Sequence, residues 1–236
     1  MTKAPGSPAK AEVAVVDANV INICFHGIGT PQRLLESDED LYWISKDLYL
    51  QVLEEVAGRD DIAISFDDGN TSDIVVGLDG LLQHERNASF FILAGRLGRP
   101  GSLTAGDLDE LRRYGMTIGT HGMDHVSWRY LTRAQQEREF VHARQIIADA
   151  VGAPVCEAAL PLGAYDRRVL VHLRRQGYHR VYSSDRRRIK AGAWLQPRFS
   201  IRADDTIESI RSTILAAPPL SLNVKNRAAA VVKRLR

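Results

Sequence analysis

The chain of 236 residues has only two cysteines, almost no net charge and no long apolar run. Cys24 and Cys156 each lie in an apolar, strand-like stretch; they exclude a disulfide framework and read as buried, reduced packing residues. A formal net charge of +2, from 31 basic and 29 acidic side chains, removes the electrostatic case for a nucleic-acid partner. The run Arg186-Arg187-Arg188 reads as a solvated loop. No segment approaches the roughly 20 apolar residues that span a bilayer, and Thr2–Lys10 has no apolar stretch of signal-peptide length. For a chain of this extent the expected location is the cytoplasm.

What is present is ordinary in bulk and ordered in pattern. With 44% apolar and 25% charged residues, the chain suits a single soluble domain. Seven short apolar or β-branched stretches read as strands: 20–25, 62–66, 88–93, 116–119, 155–160, 180–184 and 198–202. Helical periodicity falls between them. Ser45 is placed to cap one helix, and Thr104 with Asp107, Thr132 with Gln135, and Asp205 with Glu208 have capping-box spacing. Gly58, Gly115, Gly152 and Gly177 stand where helices should stop. Strands alternating with helices imply a parallel sheet, because parallel neighbours need a crossover. The expected fold class is α/β, a closed or nearly closed single-domain barrel, with an open doubly wound sheet as the alternative. Residues 1–17 read as a flexible leader, 18–217 as the barrel and 218–236 as a basic tail. From Lys225 to Arg236 the tail alternates Ala-Val patches with Lys and Arg, as in a solvated terminal helix or a segment with weak membrane-surface contact.

Two strand ends carry chemistry. In Ile64-Ser65-Phe66-Asp67-Asp68-Gly69 a strand ends in adjacent carboxylates, where reactive groups gather in parallel α/β folds. Taken alone, an Asp-Gly turn is the plainer reading. In Thr120-His121-Gly122-Met123-Asp124-His125 two imidazoles stand four apart after another strand, a spacing that places both on one face of a helical turn. Two imidazoles and a carboxylate suit a divalent metal with coordination positions left open.

Phe66-Asp67-Asp68-Gly69 followed by Thr120-His121-Gly122-Met123-Asp124-His125 resembles the first two motifs of the polysaccharide deacetylase family, the NodB-homology domains of carbohydrate esterase family four. Pro161-Leu162-Gly163 resembles the family's third motif, and the order is right. The resemblance implies a distorted (β/α)7 barrel. It also implies a divalent metal held by Asp68, His121 and His125, Zn in first place with Co, Ni, Mn or Fe as alternatives. Asp67 would be the general base, and the Leu162-Gly163 turn, with Pro161 before it, a backbone donor to an oxyanion.

Three departures fall around the base and the acid. There is no histidine after His179 to match the family's late proton donor, no arginine in Glu157-Ala158-Ala159-Leu160, and only a partial echo of the fourth motif in Ser183-Ser184-Asp185. His26, after the first strand, is the candidate catalytic proton donor or substrate contact. Arg198 is the candidate for the missing guanidinium or for substrate binding. Trp128 and Tyr42-Trp43 are candidate aromatic sugar contacts, and packing reads as well for Trp128. Asp73 is placed to steady the carboxylate loop or cap a helix. His84, His142, His172 and His179 read as surface or packing residues. The expected activity is hydrolysis of the N-acetyl group of an amino sugar or glycan precursor. The alternatives are an amidase for another acetylated metabolite and a carbohydrate-binding barrel with little turnover.

Overall fold

The computed structural model describes residues 18–217 and 231–232. The leader 1–17 and, apart from Val231 and Val232, the tail 218–236 lie outside the described residues.

Seven parallel strands close on themselves. They are β1 (Asn19–Phe25), β4 (Ile62–Asp68), β5 (Ala88–Ile92), β6 (Thr117–Thr120), β7 (Glu157–Ala159), β8 (Arg180–Ser183) and β10 (Leu195–Ser200). They pair in that order, and β10 pairs back onto β1 with Asn22 opposite Arg198. Each of the seven stretches expected from the sequence overlaps a strand of the closed parallel barrel, as the resemblance implied, although the last strand begins at Leu195 and ends at Ser200, so Arg198 lies within it and does not start it. A short β9 (Ile189–Lys190) runs antiparallel to β1, and β2 (Gly27–Ile28) pairs with β3 (Trp43–Ile44) beside the barrel.

Strand alternation sorts residues to the two faces. On β4, Ile62, Ile64 and Phe66 pack into the main apolar core with Phe25, Tyr49 and Phe90. Ser65 and Asp67, two apart on the same strand, instead meet Arg198. The seam is locked by Asn22, whose amide donates to the Gln196 side chain and to the Pro197 carbonyl, each at 3.0 Å.

Helix starts follow local chemistry. Ser45 accepts from Leu48 N, and Thr104–Asp107 and Thr132–Gln135 form reciprocal capping boxes. The helix after β10 differs from expectation. Its cap is Thr206 with Ser209, while Asp205 folds back to accept from Arg202 N, so the helix begins one residue later. Gly58, Gly115, Gly152 and Gly177 all take left-handed backbone just past helix ends. The run 186–188 is not a solvated loop either. Arg187 is buried, Arg186 donates to the Ser200 carbonyl, and Arg188 donates to the Leu215 and Ala216 carbonyls, tying β8–β10 to the end of the helical segment that follows β10. Cys24 is buried and Cys156 partly so, and both are free thiols. No described helix is long and apolar enough to cross a membrane.

Candidate metal centre and cleft

The C-terminal ends of β1, β4, β6 and β7 open on one cleft. His26, Glu36, Tyr42, Asp67, Asp68, His121, His125, Leu162 and Gly163 all line it. Four of its lining residues that are not glycine, Asp38, Asp68, His125 and Leu162, hold left-handed backbone at φ 63, 76, 54 and 57. Each such conformation costs of order 1–3 kcal/mol and persists where the surroundings impose it, as they do at functional sites.

The histidine pair is not on a helix. Residues 121–125 form a loop in which Gly122 (φ +85) and His125 both leave the right-handed region. A Cβ on Gly122 would stand 2.5 Å from Glu139 Oε2. That carboxylate, buried on the following helical segment, accepts from Met123 N at 2.8 Å, Asp124 N at 3.3 Å and Trp128 Nε1 at 3.4 Å. Glu139 thus pins the loop that four-residue spacing had suggested was a helical turn. The two rings still come together, with centroids 5.4 Å apart.

Both Nδ1 atoms are spoken for by groups that only accept. His121 Nδ1 lies 3.0 Å from the Ala159 carbonyl, and His125 Nδ1 lies 2.6 Å from a Glu36 carboxylate oxygen. Each Nδ1 must therefore carry the proton, which leaves Nε2 as a lone pair in the neutral ring. Burial pushes His121 down to about 4, so its neutral form holds at neutral pH. The two Nε2 atoms stand 3.6 and 3.7 Å from Asp68 Oδ1, which is buried and has no hydrogen-bond donor. With both rings in that tautomer, three acceptor atoms converge on one point. A bare buried carboxylate oxygen is costly, and a cation resolves the conflict. The donor set is two imidazole nitrogens and one carboxylate oxygen, and these atoms lie within 4.8 Å of one another. It is one that Zn and its first-row neighbours accept.

Asp67 faces the other way and is held from behind. Arg198, 1% exposed, donates NH1 to Oδ1 and NH2 to Oδ2, each at 2.6 Å. Its guanidinium also sits over the Phe91 and Tyr182 rings, at 5.3 and 5.7 Å, and donates to Ser65 Oγ. Burial opposes the charge on Asp67, but the Arg198 guanidinium outweighs it, and the carboxyl is held well below the usual range. Toward the cleft, Asp67 Oδ2 is 3.8 Å from His121 Nε2 and 3.9 Å from His26 Nε2. His26 leans on Tyr42 with centroids 5.0 Å apart.

The other expected residues divide. Leu162 is exposed at the cleft edge, while Pro161 is buried behind it. Gly163 needs to be glycine because its backbone is left-handed, at φ +59, and a Cβ there would lie 2.8 Å from the Ser184 side chain. Trp128 is buried against Phe140 and does not line the cleft; its indole serves Glu139. Arg198 does not line the cleft either, so its partner is Asp67 and not a ligand. Tyr42 reaches the cleft, whereas Trp43 lines a separate hollow. Asp73, fully buried, accepts from Asn70 N at 3.1 Å and so steadies the carboxylate loop; burial and Asp68 push its carboxyl well up.

Sequence reasoning missed Glu36, Glu139, Asn70 and Arg33. Asn70 Oδ1 accepts from Arg33 Nε at 3.0 Å, joining the motif loop to the segment before β3. Its position directly after Asp67-Asp68-Gly69 was a usable signal. Glu36 and Glu139 gave none, being acids in a loop and on a helix.

A seven-stranded parallel barrel with a carboxylate–bis-imidazole cradle at its mouth, and a clamped carboxylate beside it, defines a class of closed α/β barrels with a polar centre at the C-terminal strand ends. The family model "Polysaccharide deacetylase" matches residues 54–181, and the chain belongs to that family. The match takes in Asp67, Asp68, His121 and His125 but neither His26, Glu36 nor Arg198. The chain is 25% identical over 117 residues to the Bacillus subtilis polysaccharide deacetylase-named protein YxkH, covering 50% of this chain and 42% of that one. It is 28% identical over 109 residues to the Listeria monocytogenes peptidoglycan-N-acetylglucosamine deacetylase PgdA, covering 46% and 22%. The chain thus spans less than half the length of these relatives. Among solved structures, the Streptococcus pyogenes deacetylase PplD in complex with acetate superposes with a TM-score of 0.70 at 17% identity. That superposition covers 86% of this chain and 100% of that one, and shows a shared fold.

Proposed function

We propose that this chain is a metal-dependent hydrolase that removes the N-acetyl group from an amino sugar or glycan and releases acetate. The observation that carries the reading is the convergence of Asp68 Oδ1, which has no hydrogen-bond donor, with the Nε2 atoms of His121 and His125. Those three residues would hold one divalent cation, zinc in first place. When bound, the cation supplies a Lewis acid for the amide carbonyl and acidifies a water toward neutral pH.

The chain's own residues account for the remaining work. Asp67, kept ionised by Arg198, presents Oδ2 to the cleft as the general base. Gly163 N–H is already spent on the Leu160 carbonyl, so in that turn the Leu162 N–H is the donor assigned to the developing oxyanion. His26, with Nε2 near Asp67, is the group to protonate the leaving amine. Tyr42 gives the cleft an aromatic wall for a sugar. The bidentate Arg198–Asp67 pair speaks against a barrel that only binds, since holding a metal does not require it. The relatives' names, and the acetate of the PplD complex, point the same way.

Acetate released from N-acetylglucosamine oligomers tests the reading. Turnover is expected with zinc present, lost on addition of a strong chelator and restored by metal. Release that survives exhaustive chelation, or none from any acetylated sugar, would contradict it.

A further inference from the structure

Glu36 takes no part in the hydrolysis described above and lies outside the residues that the family match covers. It stands on the segment 29–42 between β2 and β3, which also brings Ser37, Asp38, Glu39 and Tyr42 to the cleft wall. The two imidazoles are supported unequally. His121 rests on a strand carbonyl, Ala159, inside the barrel. His125 rests on the Glu36 carboxylate, 46% exposed and carried by a loop.

That loop is tied down by side chains. Arg96 donates to Glu36, and Glu36 N donates to Glu39 Oε2 at 2.8 Å. Arg33 bridges Glu39 and Asn70, two residues beyond Asp68. The segment is thus linked both to a histidine of the cradle and to the loop that carries its carboxylate.

We propose that Glu36 is the positioning residue for His125: its carboxylate holds the Nδ1–H tautomer, aims Nε2 at the cation, and makes metal retention depend on the 29–42 segment lying over the cleft. The inference rests on the metal reading above. Carboxylate–histidine–metal arrangements of this kind are worth roughly 10–100-fold in affinity.

Zinc affinity by competition with a chromophoric chelator, on the full chain, tests it. Glu36→Ala is expected to bind zinc roughly 10–100-fold more weakly than wild type. Glu36→Gln should recover part of the loss, because an amide oxygen still accepts from Nδ1–H. In metal-free protein, the nitrogen shifts of His125 should report Nδ1–H in wild type and a mixture of tautomers in Glu36→Ala. Thermal midpoints of the metal-free proteins should agree, since the Glu36 side chain is half exposed. Equal zinc affinity in wild type and Glu36→Ala, with Asp68→Ala clearly weaker, overturns the role of Glu36 alone. No uptake by wild type, or full affinity in Asp68→Ala, overturns the metal reading and this inference together.

Discussion

Asp67→Asn is expected to lower kcat on an N-acetylated amino sugar by about 10²–10⁴-fold, the range a positioned base contributes, while the zinc content stays at the wild-type level. The separation follows from geometry. Asp68, not Asp67, is the carboxylate whose Oδ1 faces both imidazoles, whereas Asp67 Oδ2 faces the cleft between His121 and His26. His26→Ala should behave alike, with a loss of roughly 10²-fold or more and unchanged metal, because no other described histidine outside the cradle lines the cleft. Acetate release by either variant at near-wild-type rate, with metal bound, would remove that residue from the mechanism.

Arg198→Leu is expected to cost about 3–5 kcal/mol of stability at neutral pH, the usual penalty for leaving one member of a buried ion pair alone. Both groups are almost wholly buried, so water cannot replace the lost partner. The pair holds the folded carboxyl of Asp67 below its unfolded value. Its contribution is therefore present at neutral pH and disappears as the pH falls through the acid range. Arg198→Leu should flatten that acid limb. The double variant Arg198→Leu/Asp67→Asn should regain most of the stability, because removing both charges leaves no orphan, yet remain inactive. Denaturant unfolding across pH, beside acetate release, checks both halves. If the single variant unfolds like wild type, the clamp is not what holds Asp67.

These contrasts show what a one-dimensional reading reaches. Strand positions, the Ser45, Thr104 and Thr132 caps and the Asp-Asp and His-x-x-x-His motifs were legible, because each depends on residues a few apart. The helical turn expected for His121–His125 failed for a local reason overridden from outside, since Gly122 and Glu139 hold that stretch as a loop. Arg198 was visible as a candidate only. Its pairing with Asp67 spans 131 positions and becomes evident once β10 is known to close against β1. Glu36 and His125 are 89 apart, and a loop has no periodicity from which to infer their meeting. Trp128 could not be told from a sugar platform by its residue type; its burial decides.

The claim beneath all of this is a single cation cradle made by Asp68, His121 and His125. Metal content after equilibrium dialysis against zinc, for wild type and for Asp68→Ala and His121→Ala, tests it most directly. The account predicts about one equivalent per chain for wild type and a loss of at least roughly tenfold in affinity for each variant. A wild-type chain that retains no zinc, or an Asp68→Ala chain that holds it as firmly as wild type, would contradict it.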